Sequence, residues 1–301
     1  MERPAPALNI AQDPPPGRPA PDEEGWTTII RPRNPWFHLN LREVWRYRDL
    51  VLLFVRRDFV AQYKQTILGP LWFFLQPLFT AIVFTIIFGR IARIPTDGIP
   101  DFLFYFSGMV CWGYFAECLT GTANTFLSNA HLFGKVYFPR IIVPIGLVIS
   151  GILKFFLQFA LFLAFLVYFY AKGAPIQPNW GMILLPAIIL QMGLLGLGCG
   201  MLVSAMTTKY RDLNLVVAFG VQLWLFATPV VYPMSQVPAA YRSLFALNPM
   251  AAVIESFRQA FLGVSSLNLA YLLLGWLITL ALLLAGLVLF SRIERTFMDT
   301  V

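Results

Sequence analysis

The sequence predicts an all-α polytopic membrane protein: six transmembrane helices, an N-terminal amphipathic helix at the interface, and re-entrant outer helices between spans five and six. Three observations carry this. Hydrophobic residues make up 58% of the chain against 12% charged, and mean hydropathy is +0.69, outside the range of a soluble domain. Charge-free windows cover 65–89, 102–116, 141–153 continuing past Lys154 to 171, 173–208, 213–241 and 259–291. Most reach the roughly 20 apolar residues that cross about 30 Å of hydrocarbon, the second and third once their single charge is included. Lysine and arginine, finally, concentrate in alternate connections. An outer-membrane barrel would instead show segments of about 10 residues alternating in polarity.

The first 36 residues hold nine prolines and several acids with no apolar core; they read as a disordered cytoplasmic tail. Residues 37–64 form the next unit. From 41 to 63, Val44, Val51, Val55 and Phe59 fall on one side of a helix and Arg42, Arg46, Arg56 and Arg57 on the other. Such a helix suits the inner headgroup layer, with Trp45 and Tyr63 as anchors; the alternative is a soluble helix packed on a partner. The transmembrane domain fills 65–301.

Gly69 and Pro70 suit the entry to span one, 71–88, and residues 94–100 are dense in turn formers. Span two runs from 102 to about 120. The inner segment 124–140 mixes aromatics with cations and is too polar to span; it reads either as a docking surface with exposed aromatics or as an interfacial helix. Span three covers 141–168 and span four 182–206. In span four Gly196, Gly200 and Ser204 put small residues on one face, for close packing or a hinge. Span five is expected over 213–232 and span six over 267–290. Between them, residues 233–263 are apolar yet carry Arg242, Glu255 and Arg258. Asn248 as N-cap, Pro249 at the first helical position and Gly263 as a stop predict a helix ending near Leu262. Parity of the basic loops argues against a seventh span and puts both termini in the cytoplasm.

Two charges lie inside the spans, Glu117 and Lys154. Each costs about 2.5–3.5 kcal/mol at bilayer depth, so they pair or face a wet cavity. Proton coupling finds thin support, since His38 and His131 lie outside the spans. No catalytic or phosphate-loop motif appears, and Cys111, Cys118 and Cys199 have neither metal spacing nor a disulfide pattern. The net charge of +7 reads as an orientation signal, not as a nucleic-acid surface. Among the many aromatics, Trp72, Tyr105, Trp112, Tyr114, Trp224 and Tyr232 are candidates for a sugar-tolerant path, because ring faces stack on sugars while polar tips meet hydroxyls.

Several runs together resemble the type 2 ABC-transporter permeases that export O-antigen and related surface polysaccharides: Arg57-Asp58-Phe59 with Tyr63-Lys64 and Leu68-Gly69-Pro70-Leu71-Trp72, then Lys135-Val136-Tyr137-Phe138-Pro139-Arg140, Tyr210-Arg211-Asp212-Leu213, Leu247-Asn248-Pro249-Met250 and Phe257-Arg258. The similarity covers 41–301 and leaves out the Pro-rich tail. It implies a permease, not an enzyme, in the bacterial inner membrane. Two copies would form the path, paired with two copies of a separate ATPase subunit that holds ATP and magnesium, with no cofactor in this chain. The implied cargo is a polyprenyl-linked polysaccharide. Residues 129–140 resemble the main coupling helix, with His131, Lys135, Tyr137 and Arg140, and 208–212 a second contact, with Lys209, Arg211 and Asp212. Asn248, Pro249, Glu255 and Arg258 fall in the segment resembling the outer gate. Rival readings are a capsule or teichoic acid exporter, an ion-coupled secondary transporter, and a membrane polymerase or ligase.

Overall fold

The computed structural model describes residues 45–61, 64, 67–133, 135–136, 138–207, 212–264 and 269–296, to which the statements below refer. The Pro-rich tail, residues 37–44 and Tyr63 lie outside them. Among the described residues every regular element is helical.

Helix α1, Arg48–Ala61, buries Val51, Phe54 and Val55 and packs them on α5, Ile142–Ala171. Leu52 and Leu53 stay exposed, as do Arg56 and Arg57. The helix therefore has one face for protein and an apolar margin left for lipid. A 3-10 turn, Gly69–Leu71, leads into α2, Trp72–Phe84, which continues as a π-helical stretch, Thr85–Ile91. Pro77 sits inside α2. It cannot donate to the carbonyl four residues back, that of Phe73. Gln158 Nε2 from α5 donates to that oxygen instead, at 3.3 Å.

Helix α3, Asp101–Ala123, is the centre of the larger core; Leu103 to Ser107, Cys111 and Phe115 are almost fully buried. A turn at Asn124 gives α4, Thr125–Phe133. After α5, a 3-10 turn Trp180–Leu184 opens α6, Leu185–Thr207. α6 packs most closely on α3 and on α10, Leu269–Thr296. Glycines make both contacts possible. A Cβ at Gly200 would lie 2.7 Å from Leu119 O of α3, and one at Gly198 would lie 2.7 Å from Leu283 N of α10. The small-residue face of α6 is thus a packing seam, as the spacing allowed.

Five helical stretches are long and apolar enough to cross a membrane: Trp72–Ile91, Asp101–Ala123, Ile142–Ala171, Trp180–Thr207 and Leu269–Ile293. The remaining expected span is shorter than its 213–232 window. Helix α7, Leu213–Phe226, has 14 residues, about 21 Å of rise. Pro229 has no N–H to extend it and biases Thr228 away from helix, so the chain turns through 227–232. Two short helices follow, α8, Ala239–Ala246, and α9, Pro249–Leu262.

Contacts sort the connections to two ends. At one, Ser235 donates to Asp97 at 2.8 Å, while Gln177 N and Asn179 N donate to the last carbonyls of α9, on Leu262 and Ala260. At the other, a second core joins α1, α4, Phe138, the start of α5 and the ends of α6 and α10 through Phe54, Phe126, Phe133, Phe138, Ile142 and Phe290.

A candidate path and its coupling face

The segment between α7 and α10 is held by two side chains. Asn248 caps α9: its Oδ1 accepts from Met250 N at 3.1 Å and from Trp224 Nε1 at 3.2 Å, while its Nδ2 donates to Thr228 Oγ1 at 2.9 Å. Pro249 opens the helix, and Gly263 closes it in the left-handed region at φ 75°. Helix start and stop agree with the caps in the sequence. Arg258 is 1% exposed. Its guanidinium donates to Pro229 O at 2.6 Å and Val230 O at 2.7 Å, reaches Ser107 Oγ at 3.3 Å, and lies 3.6 Å from the Phe104 ring centre. Glu255 is 3.8 Å away. Asn248 and Arg258 therefore tie α9 at two points to residues 227–230 beyond α7, with Pro249 beside the first and Glu255 beside the second.

Glu117 and Lys154 meet directly as an ion pair. Lys154 is buried, with its ammonium 5.6 Å from the Phe73 ring centre, whereas the Glu117 side chain remains 39% exposed. The two intramembrane charges thus answer each other, on a face that is still open.

The six candidate aromatics separate. Tyr105, Trp112 and Tyr114 are buried in α3. Tyr105 packs on Phe84 and Phe104, Tyr114 on Phe155, and Trp112 edge-on to Trp224 at 6.3 Å. Trp224 and Tyr232 are half-buried; Tyr232 donates from its hydroxyl to Phe226 O at 2.9 Å. Trp72 alone of the six is exposed, at 50%. Sequence reasoning missed the burial of α3 because that helix is apolar on every side and shows no periodic face.

On the segment expected to couple, His131 and Lys135 are exposed and Arg140 is half-buried, its guanidinium 5.5 Å from the Phe133 ring centre. Tyr137, Lys209 and Arg211 lie outside the described residues; Asp212 is exposed just before α7. The expected exposed aromatics are not found at Phe126, Phe133 or Phe138, which turn inward to the second core. The cations face outward and the rings anchor the segment.

Residues 49–262 match the family described as "ABC-2 type transporter". The chain is 32% identical over 224 residues to the "O-antigen export system permease protein RfbA" of Myxococcus xanthus, covering 73% of this chain and 83% of the relative. It is 27% identical over 252 residues to the protein of the same name from Klebsiella pneumoniae, covering 83% and 94%. It is 23% identical over 249 residues to the "Polysialic acid transport protein KpsM" of Escherichia coli, covering 81% and 93%. A match across most of the chain leaves one conclusion: the protein belongs to the ABC-2 type transporter family.

Proposed function

We propose that this chain is the membrane-spanning permease subunit of an ATP-driven exporter that moves lipid-linked polysaccharide, O-antigen first among the candidates. The observation that carries the reading is the near full-length similarity to O-antigen export permeases. The likeness to a polysialic acid transport protein keeps capsule export as the second reading. In this arrangement α7 is the fifth of six passes, the end bearing α1 and α4 faces the cytoplasm with both termini, and α8 and α9 re-enter the outer leaflet. Pairing of their polar groups within the protein supports that last placement.

The mechanism starts from the second core. Because Phe126 and Phe133 of α4 share it with Phe54 of α1, Ile142 of α5 and Phe290 of α10, a push on α4 is carried into three helices at once. Closure of two ATPase subunits against His131, Lys135 and Arg140, with Lys209, Arg211 and Asp212 as a second contact, tilts those helices in each copy of a homodimer and opens a path between the copies. Trp72 and the accessible edges of Trp224 and Tyr232 line that path, while Tyr105, Trp112 and Tyr114 hold its wall. The segment with Asn248, Pro249, Glu255 and Arg258 frames the exit.

The test is co-purification with an ATPase subunit and measurement of its turnover in lipid. Turnover stimulated by lipid-linked polysaccharide, and lost when Lys135 and Arg140 are reversed to glutamate, is expected. Retention of both partner association and coupled turnover in that variant would place the coupling contact elsewhere. Transport driven by an ion gradient without the ATPase subunit would overturn the reading itself.

A further inference from the structure

Helix contacts fix the depth of the polar residues. A Cβ at Gly89 would meet the Asp101 carboxylate at the start of α3, and Phe102 packs on Phe165 of α5 at 4.8 Å, so these parts of three helices share one level. About 20 residues along α3, at about 1.5 Å each, cover the roughly 30 Å of the hydrocarbon layer and end near Thr120. Leu147 of α5 lies at the same level, 3.5 Å from where a Cβ of Gly121 would be. The stretch Trp72–Ile91, also 20 residues, begins there as well. Thr120, Gly121, Leu147 and the start of α2 therefore mark a bilayer boundary, the cytoplasmic one in the proposed orientation.

An open cavity of about 590 Å³ lies at this boundary, between α1, α3, α4 and α5, with Thr120, Gly121 and Leu147 in its wall. Its occupant sits in the headgroup layer, and its chemistry follows from what the lining offers. Arg57 meets one oxygen of Asp58 through Nε and Nη2, 2.8 Å in each case, and its guanidinium lies 4.6 Å from the Phe54 ring centre. These contacts hold the fork in place and leave Nη1 to donate. Asn124 Nδ2 donates to Thr120 O and Asn129 Nδ2 to Thr125 O, both at 3.0 Å, so each amide keeps one N–H and its oxygen. Ser128 and His131, exposed on α4, add a hydroxyl and an imidazole to the wall. The cavity offers donors and acceptors together.

Charge narrows the class. Among the described residues, Arg57 and Asp58 are the lining's only acidic or strongly basic side chains, and they form an ion pair. A ligand with one net charge would leave that charge unmatched, whereas a zwitterion adds none. Val143 and Leu147 supply an apolar side. A small headgroup with both a phosphate and an ammonium, carried on an apolar stem, meets all of these conditions.

We propose that this cavity seats the headgroup of an inner-leaflet phosphatidylethanolamine. Its phosphodiester accepts from Arg57, Ser128 and His131, and its ammonium donates to the amide oxygens of Asn124 and Asn129. The volume falls within the roughly 300–1,000 Å³ of small-molecule sites. The inference rests on the membrane placement of the proposed function, to which it adds a lipid partner.

The full-length permease, in complex with its ATPase subunit, is reconstituted in nanodiscs holding equal amounts of phosphatidylethanolamine, phosphatidylcholine and phosphatidylglycerol, then released, and its retained lipid is counted by native mass spectrometry. Phosphatidylcholine has the same phosphate and net charge but no N–H to donate; phosphatidylglycerol is anionic. The expected result is preferential retention of phosphatidylethanolamine, weakened roughly tenfold by Arg57→Gln, which removes a charge-assisted donor, and roughly threefold by Ser128→Ala. Asn124→Ala should bring phosphatidylethanolamine down to the level of phosphatidylcholine. Any other ranking in the parent, including equal retention of the three lipids, overturns the site. Unchanged phosphatidylethanolamine retention in Ser128→Ala, an exposed position, overturns it too, whether or not Arg57→Gln folds. Ser128→Cys checks the placement separately: an impermeant maleimide should label it, above the parent's background, only once the cells are opened. Labelling of intact cells sinks the orientation beneath the proposal, and labelling of opened cells alone, with no lipid preference, sinks the site alone.

Discussion

Two buried cations, Arg258 and Lys154, are satisfied in opposite ways. Arg258 is enclosed, stacked on Phe104 and bonded to the backbone carbonyls of Pro229 and Val230. Lys154 has one carboxylate, and that carboxylate belongs to a side chain still open on one face. Carbonyl partners cannot titrate or leave, so Arg258 is a fixed clamp on the α7–α9 junction. A partly exposed Glu117 can rotate, hydrate or take another partner, so the Lys154 site has a second available state. The end bearing α9 is built to hold its shape; the half nearer α4 has polar groups that can exchange.

Arg258→Leu tests the clamp and should have the largest effect. It strands the Pro229 and Val230 carbonyls, at about 1–3 kcal/mol for each buried unsatisfied group. The expected outcome is a strongly lowered unfolding temperature of the solubilised permease, or failure to accumulate. Arg258→Lys keeps the charge but loses the fork that reaches both carbonyls, and should fall between. A lysine variant as stable as the parent would mean that charge alone matters, and the contrast with Lys154 would collapse.

The clamp also shows what was legible in the sequence. Asn248-Pro249 and Gly263 announced α9 because caps act on their own turn, so no distant residue was needed to read them. Arg258 could be marked as costly, but not matched to Pro229 and Val230, since those carbonyls become free only where α7 stops. Pro229 was the local signal for that stop, and the apolar window running to 241 masked it. Burial was legible only where a helix has two unlike faces, as in α1. The aromatics of α3 and α4 gave no such pattern: Trp112 is enclosed by helices on all sides, and Phe133 and Phe138 turn inward because α1 brings Phe54 to meet them.

Glu117→Leu should cost less than loss of the clamp, because the Glu117 side chain is partly exposed; about 1–3 kcal/mol is expected, below the roughly 3–5 kcal/mol of a fully enclosed pair. The double change Glu117→Leu with Lys154→Met removes both charges and should recover most of that stability. Export separates the roles. A double variant that is stable and exports normally makes the pair a packing device. One that is stable but slow to export assigns Glu117 to the moving half, and that is the result the comparison anticipates.

The smallest expected effect concerns Gln158, next to the same pair. Its Nε2 supplies the hydrogen bond that Pro77 denies to Phe73 O, and so fastens the irregular part of α2 to α5. Gln158→Leu should lower stability by about 1 kcal/mol, the usual net worth of one such bond, read as a small drop in unfolding temperature. Pro77→Ala in the same background lets residue 77 donate to Phe73 O again. If α2 is fastened by this one bond, the proline replacement recovers the loss; if Gln158 acts by filling space, it does not, and the polar character of the region would then rest on Glu117 and Lys154 alone.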